Sequence, residues 1–136
     1  MRSMENILKQ FHNFEECILL EVSWHNYGTT INLVFNYIWD TDRKIRPDLE
    51  QVHRVTVSFG LVQEFHFTGA LNASVCKEPE RINWGLNEIA MVRLEEQEDY
   101  LHSYKALPVR FHHLAVLWDT GRRIDIVFST IEIKEG

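Results

Sequence analysis

Two cysteines, three prolines and six glycines in 136 residues exclude several kinds of protein. Cys17 and Cys76 are too few for a disulfide framework and lack metal-ligand spacing. The scattered glycines form no phosphate-cradling loop and no Gly-x-Ser-x-Gly elbow. Long apolar runs are missing too. Cys17-Ile18-Leu19-Leu20, for example, stops at Glu21, and no run comes near the roughly 18 residues that a spanning helix needs. The N-terminal Met-Arg-Ser-Met-Glu-Asn-Ile-Leu has no apolar signal core, so a cytoplasmic location with reduced thiols is expected. Cations are the minority charge: 14 Lys and Arg stand against 20 Asp and Glu, a net −6. That balance argues against a nucleic-acid partner or an anionic membrane surface and favours a basic protein partner.

What is present is an ordinary folding composition, 45% hydrophobic and 25% charged, which rules out wholesale disorder. The length suits one domain over residues 1–136. Its dominant period is two. Ile18, Leu20, Val22 and Trp24 alternate with polar or mixed positions, as do Ile31, Leu33, Phe35, Tyr37 and Trp39. Successive strand side chains point to opposite faces, so each run has one face for a core. His25-Asn26-Tyr27-Gly28 between the runs predicts an antiparallel hairpin. On this phase Trp24, Trp39 and Trp118 are core residues, whereas Tyr27 and Trp84, in connections, are exposed aromatics.

Asp40 to Asp48 reads as a charged loop holding Pro47. Val55, Val57 and Phe59 and then Phe65 and Phe67 predict two strands joined by a kink between Gly60 and Glu64. Leu71 to Trp84 loses the period. Leu86 to Leu94 regains it with apolar residues on both faces, the mark of a central strand. Leu114 to Trp118 and Ile124 to Phe128 flank Asp119-Thr120-Gly121, a second hairpin. The apolar parity then flips to Ile131 and Ile133, which predicts a bulge or a strand changing sheets. Only the first dozen residues have helical spacing, with Ser3 as cap and Met4, Ile7, Leu8 and Phe11 on one side. The fold class expected is mainly β: about seven antiparallel strands in a sandwich or partly open barrel, with a short N-terminal helix.

Signals for chemistry are weak. Of seven histidines, His112 and His113 are adjacent on a strand and therefore face opposite ways, and His53 and His66 lie on separate strands. Asp40-Thr41-Asp42 opens like a calcium loop but lacks its turn glycine and closing glutamate. Cys17 enters a strand, where a buried thiol is inert. No catalytic residue, metal or cofactor is expected, and the chain is not read as an enzyme. The segment with character is Glu95-Glu96-Gln97-Glu98-Asp99-Tyr100, followed by Tyr104. Four carboxylates beside two tyrosines suit a docking surface for a cationic protein, although a charged run is more often a plain solvated loop. Glu95, Glu96, Glu98, Asp99, Tyr100 and Tyr104 are the candidate partner-binding residues.

The layout also resembles a known family. Phe11-His12-Asn13-Phe14-Glu15 enters the first strand, and Gly28 precedes the second. Val55 to Gly69, Ile82 to Ile89 and the closing Ile-Asp-Ile-Val-Phe128 strand follow in the same order. Over Phe11 to Ile133 this is similar to the immunity protein 50 family of bacterial polymorphic toxin systems. Asn13 replaces the short acidic residue of that pattern, and the Glu95–Leu107 loop departs from it. The resemblance implies a mostly β protein that binds and neutralises a toxin made by the same cell. A different class of reading stands beside it: a small-ligand-binding β-barrel, or a small enzyme using histidines at a barrel mouth.

Overall fold

A computed structural model describes residues 3–39, 54–69 and 87–135. The expected loops at Asp40–Asp48 and Leu71–Trp84, with His53, Cys76 and Trp84, lie outside the described residues. Helix α1 (Met4–Gln10) starts where Ser3 Oγ accepts the Asn6 amide at 3.2 Å. Among the described residues eight strands follow: β1 (Ile18–His25), β2 (Thr30–Asn36), β3 (Arg54–Gly60), β4 (Glu64–Thr68), β5 (Ile89–Leu94), β6 (His112–Trp118), β7 (Arg123–Phe128) and β8 (Thr130–Glu135). A single helical turn, α2 (Glu98–Leu101), lies between β5 and β6. The fold is mainly β, as the period-two pattern predicts, with eight strands in place of about seven.

The strands form two four-stranded antiparallel sheets, ordered β1-β2-β3-β8 and β4-β7-β6-β5. Alternation decides which faces meet. In the first sheet Ile31, Leu33 and Phe35 stand opposite Phe59, Val57 and Val55, all buried. In the second, Leu114 and Val116 stand opposite Ile126 and Ile124. Phe59 and Phe128 cross edge-on at 4.8 Å within the core cluster that both sheets share.

The parity flip after Phe128 is a change of sheet: β7 belongs to the second sheet and β8, across Ser129, to the first. The kink after Gly60 does the same for β3 and β4. The two corners are joined where the Ser129 amide donates to the Gly60 carbonyl at 3.0 Å. Gly121, at φ +93°, closes the β6–β7 hairpin with its amide on the Trp118 carbonyl.

The entry to β1 has a feature that alternation does not reveal. His12, Asn13 and Phe14 all take left-handed φ, at 54°, 52° and 54°. Such geometry costs about 1–2 kcal/mol per non-glycine residue. It turns the chain back so that Phe14 is wholly buried, stacked on Phe35 at 4.4 Å. The Glu16 amide then reaches the Ile89 carbonyl, and the Ile89 amide reaches Cys17, tying β1 to the start of β5.

Cys17 sits wholly buried at this junction as a free thiol. Burial pushes its pKa up to about 11, leaving roughly one thiolate in ten thousand at neutral pH. In a Cys76→Ser background, Cys17 should resist a thiol reagent while the protein is folded and react fully in denaturant. Rapid labelling of the native state would contradict this burial.

One packing expectation is corrected. Trp118 is buried and Trp39 half-buried, its indole N–H on the Glu15 carbonyl at 2.8 Å, but Trp24 is 55% exposed. It is in phase with the core, yet β1 is an edge strand, so only one side of the indole is covered, edge-on to Phe65 at 5.4 Å.

Candidate docking site: an acidic strap over the second sheet

The outer face of the second sheet is polar at its centre. Alternation that sends Ile124, Ile126 and Phe128 into the core turns Arg123 and Asp125 outward, with His113 beside them on β6. His66 on β4 lies opposite Asp125. Arg123 grips the Asp125 carboxylate with two hydrogen bonds, Nε to Oδ2 at 2.8 Å and Nη2 to Oδ1 at 2.6 Å. His113 Nε2 lies 2.7 Å from Oδ1. His113 and Asp125 are both buried, although they occupy the face away from the core.

Their cover is the segment that carries the predicted site residues. β5 ends in a tight turn where the Glu95 and Glu96 amides both donate to the His113 carbonyl, with Glu96 at φ +51°. Glu96 Oε1 in turn accepts the His113 amide at 3.0 Å and lies 3.3 Å from His112 Nδ1. The Gln97 amide donates to His113 Nδ1 at 3.1 Å. Tyr100, at the centre of α2, stacks its ring on His113 at 4.1 Å and meets His66 edge-on at 5.4 Å. Tyr104 closes the strap with its hydroxyl on Glu64 Oε2 at 2.7 Å.

Electrostatics match this geometry. Burial alone would raise the Asp125 carboxyl, but hydrogen bonds from Arg123 and His113 outweigh it and hold it below the ordinary aspartate range. Glu64 behaves likewise: burial opposes, while hydrogen bonds from His66 and Tyr104 prevail and lower it. The Tyr104 hydroxyl is pushed up to about 12 by burial and by its bond to Glu64.

The six predicted residues therefore lie together on one strap, but they do different work. Glu98 and Asp99 are exposed, Glu98 beside Lys105. Glu95 is held by Arg93 Nε at 2.7 Å and by Gln97. Glu96, Tyr100 and Tyr104 fasten the strap to its own sheet. The residues beneath, His113, Asp125, Arg123 and Glu64, were not singled out by motif reasoning as a site. Their signal in the sequence is polar side chains inside otherwise apolar alternation, Arg123-Ile-Asp125-Ile and His113 before Leu114, where burial demands a partner.

Elsewhere, Tyr27 at the β1–β2 turn is fully exposed, with φ +58°. An open cleft of about 700 Å³ runs between α1 and the β5 and β8 side, lined by Met4, Ile7, Leu94, Ile131, Arg110 and His112 among others. Among the described residues no group of three or more His, Cys, Asp or Glu is placed to hold a metal ion. No described helix is long and apolar enough to cross a membrane.

No family model matches the chain, and no curated protein matches it. Among solved structures, the crystal structure of an uncharacterized protein from Neisseria gonorrhoeae is similar in fold. It is 17% identical, with 89% of this chain and 92% of that one covered at a TM-score of 0.53. At that identity the likeness concerns architecture, two antiparallel sheets over one core, and leaves the strap to be read from its own residues.

Proposed function

We propose that the chain is a cytoplasmic immunity protein that binds a basic toxin of the same cell and neutralises it by occlusion, without catalysis. The observation that carries this reading is the strap: four carboxylates, Glu95, Glu96, Glu98 and Asp99, on a short segment whose inward groups are all engaged. A charged element already ordered loses little conformational freedom on binding, which favours affinity. The negative field of a −6 chain raises the rate of encounter with a cation-rich surface. A contact patch of about 800 Å² per partner is enough to cover an active site or its substrate path. The resemblance of the sequence layout to the immunity protein 50 family is the second support.

Reversing Glu95, Glu96, Glu98 and Asp99 to Lys should slow association with the proposed toxin domain by about tenfold or more at low salt. The wild-type on-rate should fall as salt rises, because exposed charges act over about 8 Å at physiological ionic strength, and the reversed variant should lose that dependence. Surface plasmon resonance at two salt concentrations measures both. An unchanged on-rate would remove the strap from the interface.

A second reading, a small-ligand site, is favoured by the cleft, whose lining includes His112 and Glu96, 3.3 Å apart, together with the apolar Met4, Ile7 and Leu94. Saturable binding of a small molecule, lost on His112→Ala, would support it.

A further inference from the structure

The two nitrogens of His113 are both engaged, and their partners decide where the proton sits. A backbone amide can only donate, so the Gln97 N–H at 3.1 Å requires an unprotonated Nδ1. The proton is therefore on Nε2, which donates to Asp125 Oδ1 at 2.7 Å. The ring is wholly buried and neutral in this arrangement.

Charged and titratable groups face it from every side. β7 presents Asp125 and Arg123, β4 presents Glu64 and His66, and the strap presents Tyr100 and Glu96. His112 adjoins it on β6. Asp125 does not act as a free counter-charge, because Arg123 donates to both of its oxygens. A second proton can enter the ring only at Nδ1, where it would point at the Gln97 N–H. Two donors would then face one another, and the Gln97 end of the strap must move away for Nδ1–H to find an acceptor.

We propose that His113 is the positioning residue of the strap, holding residues 97–104 against the second sheet as a neutral imidazole and releasing them when it is protonated. The core lies on the opposite face of β6, where Leu114, Val116 and Trp118 point, and it stays folded when the strap lifts. The release itself is a property of the chain alone. Its consequence, loss of partner capture in mild acid, rests on the docking reading above.

Hydrogen exchange over about pH 8 to 5, corrected for intrinsic rates, should show protection of the Gln97–Tyr104 amides falling by up to about tenfold per pH unit once the ring protonates. The Val116 and Ile126 amides should keep their protection. In His113→Asn the Oδ1 atom takes the place of Nδ1 as acceptor and does not titrate, so strap protection should be flat over that range. Flat protection in the wild type, a parallel loss in the core, or a wild-type pH profile in the Asn variant would each overturn the proposal. Long-range proton–nitrogen spectra of the wild type test it without any variant: a proton on Nδ1 at neutral pH overturns it, and one on Nε2 alone supports it. Release without any toxin binding would uphold this role of His113 while removing the docking reading.

Discussion

Asp125→Ala is expected to cost about 3–5 kcal/mol of folding stability, the scale for breaking one partner out of a buried ionic network. The carboxylate accepts two hydrogen bonds from Arg123 and one from His113, and the Tyr100 hydroxyl bonds to it as well. Removing it leaves a guanidinium and a buried imidazole N–H facing an empty pocket. The loss should be seen in urea unfolding at neutral pH, with the midpoint lowered and the slope unchanged. Its pH dependence has a definite sign. The Asp125 pKa is lower folded than unfolded, so its contribution is complete above the unfolded value of about 4 and fades as pH falls through the folded one. The gap between wild type and variant should therefore narrow in acid. A neutral-pH loss under about 1 kcal/mol would mean that the network is not the anchor described.

Phe14→Ala should be comparably damaging, about 3–5 kcal/mol, because it empties a large volume in a site with little freedom to collapse. Phe14 is wholly buried, stacked on Phe35 and edge-on to Tyr37 at 6.0 Å. Alanine keeps the unfavourable left-handed backbone and loses the burial that offsets it. The junction of β1 with β5, through Glu16, Cys17 and Ile89, should loosen first. Faster hydrogen exchange at the Ile89 amide, together with lowered thermal stability, checks the prediction. A thermal midpoint within about 2 °C of wild type would contradict it.

These two residues also show where sequence reading succeeds and where it stops. Alternation located the core because a strand has only two faces, and Ile31, Leu33, Phe35, Ile124, Ile126 and Phe128 follow that rule. Turn chemistry located both hairpins, and the parity flip at Ser129 located the change of sheet. The left-handed turn at His12–Phe14 was not legible, since no glycine marks it and only long-range burial of Phe14 compensates its strain. The exposure of Trp24 was not legible either, because phase names a face but not whether a neighbouring strand covers it. For the candidate site, the acidic run identified the strap. The attachment beneath it depends on β4, β6 and β7 meeting in one register, His66 opposite Asp125 and His113 opposite Val127. That is tertiary information which no local pattern contains.

The proposed neutralisation is tested most directly by sequencing the genes that flank this one and co-producing this protein with any toxin domain found there. The account predicts restored growth and a stoichiometric complex by light scattering, with protection weakened by the fourfold charge reversal. Undiminished killing in the presence of excess folded protein, with no complex formed, would contradict it.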